Sequence, residues 1–381
     1  MTVEQLMHEF VDVYGKSKWT YSTYTCNMQR VRNYILPLIG DISIEDIDTM
    51  MIERYYVRLL SYPSKSRQTK YCSPSVIREV HKLLNEAFAR AVVWKLISYN
   101  PITDAIRPKE HPHKRDVWNI EELRHAMDVC EDDLLRLAIN LAFATTLRES
   151  EILGLQWSKI FLDSDTPFLS VEQIIQRVEK EAIGALNERN ADIYMIFPQI
   201  ANRSSNSMLV LKKPKTDSSI RTVYIPKTVC DMLRARKNTI EQNKIVYGNK
   251  YKDYDLVICN DDGTPIEDKR LRVLFNRFID KNSLRKVCFH SLRHTSITYK
   301  LRVSNGNIKA VQGDSGHAKA DMITEIYSHV QDEDRVCNAN IMERDFYKNT
   351  KIDTINEVNI DNLQMDNYEL LRLLFHLKSH L

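Results

Sequence analysis

Apolar residues return every three to four positions through most of the first 107 residues, the period of helices that bury one face. Leu6, Phe10, Val11 and Tyr14 make one such stripe. Met28, Val31, Tyr34 and Ile35 make a second, which Pro37 and Gly40 are expected to end. A third helix is expected over 44–60 and a fourth over 75–96, with Ser73 as its cap ahead of Pro74 and Pro101 closing it off. Residues 62–68 read as a polar loop. Between Arg107 and Arg115 the periodicity stops, and Pro108, Pro112 and a run of bases predict an extended strap.

The helical period resumes near Trp118. Helices are expected over 120–129, 133–146, 150–155, 227–244, 269–280, 291–302 and 308–312. Apolar residues alternate or cluster as in short strands at 168–171, 208–212, 220–225 and 256–259. The segment 172–207 is read as an inserted helix near 175–186 followed by a loop rich in Asn and Ser. Two amphipathic stretches, 335–346 and 362–381, end the chain. The second carries Leu363, Leu370, Leu373, Leu374 and Leu377, and suits a helix packed on its own domain as well as one docked on a neighbouring protomer. The fold class predicted is mainly α with a small antiparallel β-sheet. The division predicted is a helical domain at 1–107, a basic linker at 108–116, a second domain at 117–347 and a tail at 348–381.

Composition narrows the class. Hydrophobic content of 43% with 28% charged residues is that of a globular protein, and only nine glycines in 381 residues favour helix. No apolar run approaches the ~18 residues of a membrane span, and the polar start Met1-Thr2-Val3-Glu4-Gln5 carries no secretory signal. Seven scattered cysteines without a Cys-x-x-Cys pair argue for reduced thiols, against a disulfide framework and against a structural zinc site. The net charge of +3 is unremarkable, but its distribution is not. Residues 64–115 hold eleven bases against four acids, a balance of +7, whereas ten acids face six bases from 331 to the end, a balance of −4. A chain that grips a polyanion with one part only has this asymmetry, although charged helix faces alone produce such runs too.

Candidate chemistry lies in five short strings. Arg148 stands in Ala-Thr-Thr-Leu-Arg-Glu-Ser-Glu, with Glu151 one helical turn on and able to fix the guanidinium. Lys215 stands in Lys-Lys-Pro-Lys-Thr, on an expected turn between strands, where an amine can protonate a departing oxygen; Lys212 and Lys213 compete for that role. His290 and Arg293 share a face in His-Ser-Leu-Arg-His. His294 completes a zinc-like spacing, but Ser291 stands where a zinc hydrolase carries glutamate, so no metal is expected. His317 closes Gly316-His317, and Tyr327 follows ten residues later in Ile-Tyr-Ser-His. Singly each string is ordinary. Together they supply guanidinium forks for phosphate oxygens, imidazoles for proton transfer near neutral pH and a phenol that can attack phosphorus.

In this order and spacing the strings resemble the tyrosine recombinases of the phage-integrase family, over roughly residues 5–345 in domain plan. The 172–207 insertion and the Lys-Lys-Pro-Lys-Thr string resemble integrases of conjugative transposons and phages in particular. The resemblance implies a two-domain, C-shaped DNA clamp made of a core-binding (SAM-like) domain and a catalytic domain. It implies site-specific cleavage and rejoining of strands through a 3′-phosphotyrosyl intermediate and a Holliday junction, integrating or excising a mobile element without ATP, metal or other cofactor. Tyr327 would be the nucleophile, Arg148 and Arg293 the stabilisers of phosphate charge, His290 the acceptor of the phenol proton, His317 a hydrogen-bonding partner of phosphate oxygen, Lys215 the acid for the 5′ oxygen and Glu151 a support from behind. The implied partners are double-stranded recombination sites, three further protomers in a tetramer, and accessory bending or excision factors. The implied setting is cytoplasmic, at the nucleoid, with no membrane. Phosphate contacts are expected from Thr23, Lys65, Arg67, Lys114, Arg115 and Arg221. An arm-binding module that many such integrases carry ahead of the helical domain is not expected here, and Ser315 replaces the family's usual leucine before Gly-His. A type IB topoisomerase shares the chemistry, and a catalytically silent DNA-binding regulator is the remaining alternative.

Overall fold

The computed structural model describes residues 1–65, 69–109, 116–186, 191–198, 205–304, 306–317, 320–321 and 339–347. The chain divides into two compact units, Met1–Ile326 and Tyr327–Leu381. Of the second, only 339–347 are described, with a π-helical turn at Glu343–Tyr347. The expected 362–381 helix lies outside the described residues.

The first unit begins with α1 (Val3–Glu9), which runs on through a π-helical stretch at Phe10–Gly15 into α2 (Lys16–Lys18). Thr2 caps it reciprocally: its hydroxyl accepts the Gln5 N–H at 3.3 Å while the Gln5 side chain accepts the Thr2 N–H at 3.0 Å. Helix α3 (Tyr21–Arg30) likewise continues through a π-helical stretch, Val31–Ile35, into α4 (Leu36–Ile39). Pro37 therefore does not stop this helix, contrary to expectation. The wider π turn sends the Leu36 N–H to the Val31 carbonyl, and Pro37 falls in the first turn of the next helical piece, where its missing N–H costs little. Helix α5 (Thr49–Leu60) starts five residues later than its apolar pattern suggests, because Asp48 caps it by accepting the Met51 N–H at 2.7 Å. Ile44 and Ile47 are buried from the preceding turn instead. Helix α6 (Pro74–Val93) starts as expected, with Ser73 accepting the Val76 N–H at 3.4 Å and Pro74 at the first helical position.

Helices α7 (Ile120–Asp128), α8 (Asp133–Thr145) and α9 (Glu149–Leu153) follow. Among the described residues the β structure forms two small antiparallel sheets. The first orders β1 (Ile160–Phe161), β2 (Phe168–Val171) and β6 (Arg221–Tyr224), with Phe168 opposite Tyr224 and Val171 opposite Arg221. The second places β5 (Ser207–Lys212) between β3 (Ile174–Glu179) and β4 (Ile193–Ile196). The predicted helix over 175–186 is thus half strand: only α10 (Lys180–Ala185) is helical, because Ile174–Glu179 pairs along the whole of β5. The predicted loop after it contains β4. The strand expected at 256–259 is also absent. Leu256 and Cys259 make single bridges, to Gln156 and Pro265, so its four apolar residues are buried without a ladder. Helices α11 (Lys227–Tyr247), α12 (Asp268–Lys281), α13 (Ser291–Val303) and α14 (Ile308–Ser315) follow.

Among the described residues two hydrophobic cores form. One gathers residues of α7–α9, α11–α13 and the first sheet around Trp118, Leu141, Ile152 and Phe275. The other gathers α1–α6, and Val178, Ala182, Leu186 and Val210 join it from β3, α10 and β5. The second sheet therefore serves both. Its strand β5 buries Leu211 in one core and Val210 in the other, as its alternation of faces requires.

Candidate active site

Helix α8 delivers the first arginine. Asp132 caps it, accepting the Leu135 N–H at 2.9 Å, and its far end turns sharply at Thr146, a buried residue at φ 55°. The left-handed turn lets the chain double back, buries Leu147 and leaves Arg148 extended at the N-cap of α9. An arginine is an unusual cap, since it brings no acceptor of its own. Glu151 compensates: its carboxylate accepts the Arg148 N–H at 2.9 Å and the Arg148 Nη1 at 2.6 Å. Arg148 also donates to the Ser219 hydroxyl at 3.4 Å and to the Gly316 carbonyl at 3.3 Å, with its side chain about one-third exposed.

Glu151 is 2% exposed. A carboxylate this deep is costly unless its charge is matched, and a second guanidinium matches it. Arg221 places Nη2 2.9 Å and Nη1 3.3 Å from the two carboxylate oxygens. Burial pushes the Glu151 carboxyl up, but Arg221 and then Arg148 outweigh it and hold the group below the usual carboxylate range.

Arg221 was expected to touch DNA, and its position is different. Its side chain is 6% exposed, with Nε donating to the Asp314 carbonyl at 2.6 Å and Nη1 to the Ser219 carbonyl at 2.8 Å. The signal for this lay in strand alternation: Arg221 shares a face of β6 with Val223, which is fully buried. Ser219 is not singled out in the sequence, where a polar residue in a turn carries no signal. Ser315 stands out there only as the departure from leucine before Gly-His, and nothing in that departure shows that its carbonyl and hydroxyl meet Arg293 and His317.

Arg293, on the first turn of α13, is 2% exposed and reaches across to the same place. Its guanidinium donates to the Thr146 carbonyl, to the Ser315 carbonyl at 2.6 Å and to His317 Nε2 at 3.3 Å. Burial, and then the nearby Arg148, lower its pKa to about 9, so it remains a cation at neutral pH. His317 is 9% exposed, with Nδ1 2.9 Å from the Ser315 hydroxyl. Because arginine only donates, Nε2 is the acceptor in that pair and the proton resides on Nδ1. Burial, then Arg293 and Arg148, lower the imidazole pKa to about 4.

Gly316 makes this convergence sterically feasible. It sits at φ 62°, and a Cβ there would lie 2.9 Å from the Ser218 carbonyl oxygen and 3.1 Å from the Arg221 side chain. The Gly-His string is thus a backbone requirement as well as a chemical one.

The remaining candidates are placed less tightly. His290 is the residue before α13, one turn from Arg293, its ring 5.1 Å from that of His294 and nearly perpendicular to it. It borders a groove of about 890 Å³ with Arg272, Lys286 and Cys288. Lys215 lies exposed on the connection from β5 to β6, which joins two different sheets rather than closing a hairpin. Its competitors are otherwise engaged: the Lys212 amine donates to the Lys213 carbonyl at 3.1 Å, and Lys213 pairs with Asp217 at 3.0 Å. Thr23 lines a groove of about 540 Å³ between α3 and α6 with Lys18, Arg30 and Lys82, and Lys65 is exposed. Tyr327, Arg67, Lys114 and Arg115 lie outside the described residues.

Two guanidiniums and an imidazole drawn together over one buried carboxylate define a site for an anion with several oxygens, a phosphate above all. Sequence comparison agrees. Residues 116–334 match the phage integrase family and residues 2–60 match the phage integrase N-terminal SAM-like domain. The chain belongs to the phage integrase family, and it is an enzyme of the tyrosine recombinase class, which cleaves and rejoins DNA. It is 26% identical over 343 residues to a tyrosine recombinase XerC-like protein of Caldanaerobacter subterraneus, covering 87% of this chain and 80% of that one. It is 22% identical over 256 residues to the ICEBs1 integrase of Bacillus subtilis, covering 67% and 61%. Among solved structures it superimposes on the Tn1549 transposon integrase in complex with transposon right end DNA, with a TM-score of 0.64, 18% identity and 90% and 99% of the two chains covered. A lambda integrase tetramer bound to a Holliday junction gives a TM-score of 0.57 at 17% identity, covering 86% and 77%. No helix among the described residues is long and apolar enough to cross a membrane.

Proposed function

We propose that this recombinase integrates or excises a mobile element, acting as a tetramer on paired double-stranded sites, and that Tyr327 is its nucleophile. The observation that carries the reading is the convergence of Arg148, Arg293 and His317 over Glu151. The phenol of Tyr327 attacks the scissile phosphorus and loses its proton to His290. Arg148 and Arg293 hold the non-bridging oxygens as charge grows on them in the transition state. His317 hydrogen-bonds one of these oxygens once its ring proton, which faces Ser315 from Nδ1 in the structure, is carried on Nε2 instead. The bond from phosphorus to the 5′ oxygen breaks, and Lys215 gives that oxygen its proton. The new phosphotyrosyl ester conserves the energy of the old one, so attack by a 5′-hydroxyl reverses the step without ATP. Exchange of strands between two duplexes passes through a Holliday junction.

The same reading assigns residues 1–107 to the core-binding domain, 108–116 to a basic linker crossing the DNA backbone, 117–347 to the catalytic domain and 348–381 to a tail. Thr23, Lys65, Arg67, Lys114 and Arg115 are proposed as phosphate contacts that position the protein without reading sequence. Accessory bending or excision factors would join it in the cytoplasm, at the nucleoid. The resemblance in fold to integrases solved with DNA and with a Holliday junction supports the assembly.

The deciding experiment uses a nicked duplex from which the short fragment carrying the freed 5′-hydroxyl diffuses away, so that the adduct cannot be rejoined. Wild-type protein is expected to become covalently attached and Tyr327→Phe to bind without attaching. Undiminished adduct in that variant overturns the assignment of the nucleophile. Sequencing the trapped DNA identifies the recombination site.

A further inference from the structure

We propose that Arg221 is a positioning residue of the catalytic centre, holding Arg148 through Glu151 and holding His317 through the turn before it. This rests on the reading of the site as a phosphoryl-transfer centre. Three segments far apart in the chain meet on this one guanidinium. Nη2 and Nη1 take the Glu151 carboxylate at 2.9 and 3.3 Å, Nη1 takes the Ser219 carbonyl at 2.8 Å, and Nε takes the Asp314 carbonyl at 2.6 Å. With its side chain 6% exposed and four donor contacts made, Arg221 has no fork left to offer a substrate. Its effect has to pass through its neighbours.

Two routes are visible. The oxygen Oε1 of Glu151 is shared between Arg148 Nη1 at 2.6 Å and Arg221 Nη1 at 3.3 Å. Removing Arg221 leaves a buried carboxylate whose full charge falls on Arg148, drawing it away from the phosphate it should meet. The second route is the backbone. Asp314 lies three residues before His317, and the Arg221 side chain fills the space that Gly316 leaves open. Arg221 thus ties the strand that follows the Lys215 connection to the turn carrying Gly316-His317. Lysine would keep the charge but could not span these acceptors from one planar group.

The test compares wild type, Arg221→Ala and Arg221→Lys on two nicked duplexes carrying the site recovered from the trapped adduct. One has the ordinary scissile phosphodiester. The other has a methylphosphonate there, which lacks the non-bridging negative charge that Arg148 would neutralise. On the phosphodiester, Arg221→Ala is expected to cleave about 10–100-fold more slowly, by analogy with the loss of a residue that holds a metal ligand in its pose, with DNA affinity little changed. Arg221→Lys is expected to recover part of the rate. On the methylphosphonate the part of the deficit that passes through Arg148 is expected to vanish, leaving in both variants a clearly smaller loss that passes through the turn carrying His317. Equal losses on the two substrates, or no loss on either, would overturn the proposal. If Arg221→Ala does not fold, the ratio of the two losses in Arg221→Lys decides in the same way. Wild-type protein that fails to cleave the phosphodiester refutes the underlying reading, a result distinct from a variant that behaves as wild type.

Discussion

Glu151 is matched by two guanidiniums, and neither partner of such a cluster is easily spared. Glu151→Ala leaves Arg221 buried without its counter-ion, which costs about 3–5 kcal/mol when one member of a buried pair is lost. A loss of that size is expected in the unfolding free energy from a denaturant titration, and no loss beyond experimental error would show that the carboxylate does not hold the arginines. His317 offers a second test at this scale. Its pKa is lowered to about 4 in the folded protein, by burial and by Arg293 and Arg148, against ~6.5 in an unfolded chain. The unfolded state therefore binds the proton first. The contribution of His317 to stability is complete above ~6.5 and is lost as pH falls from there towards about 4. Glu151, also lowered, adds a loss of the same sign at still lower pH. NMR titration of the His317 imidazole is expected to show a neutral ring at pH 6, and a midpoint near ~6.5 would contradict its burial and cationic surroundings.

Elements matter here mainly for where they stop. Helix α8 ends in a left-handed residue, α9 begins on an arginine, and α14 ends at Gly316 with φ 62°. Those three ends, not the helix bodies, bring Arg148 and His317 together. Gly316→Ala is expected to lower stability by at least the ~1–2 kcal/mol of a left-handed residue with a Cβ, with more from the contact of that Cβ with Ser218 and Arg221. It should also slow adduct formation. A variant equal to wild type in both would mean that the turn tolerates a Cβ. The sequence revealed the helix bodies well, because one buried face leaves a period of 3.6 residues. It concealed β3 inside a predicted helix, since Ile174–Glu179 finds its partner in β5 some thirty residues on. It also suggested a strand at 256–259, where burial on all sides produces the same apolar run as a ladder would.

At the scale of the whole molecule, β5 contributes to two cores, with Leu211 in one and Val210 in the other. Strand β5 leads directly into the connection bearing Lys215, so the amino-terminal helices and that connection share one support. Val210→Ala is expected to cost about 1–3 kcal/mol, in the range for deleting buried methyl groups. Amides of α3 should report the loss by faster hydrogen exchange, although the substitution lies in β5. Unchanged exchange in α3 would show that the two cores unfold independently.

What the chain's order of residues determined by itself was local chemistry and local period: the helices, the cap at Ser73, and the short strings around Arg148, Arg293 and His317. Those follow from contacts within a few residues, which sequence spacing encodes directly. Tertiary structure alone decided that Arg221 faces inward to Glu151 and that Gly316 leaves room for it. It also decided that β3 is a strand. Each of these depends on a partner tens of residues or more away, whose approach no local pattern records.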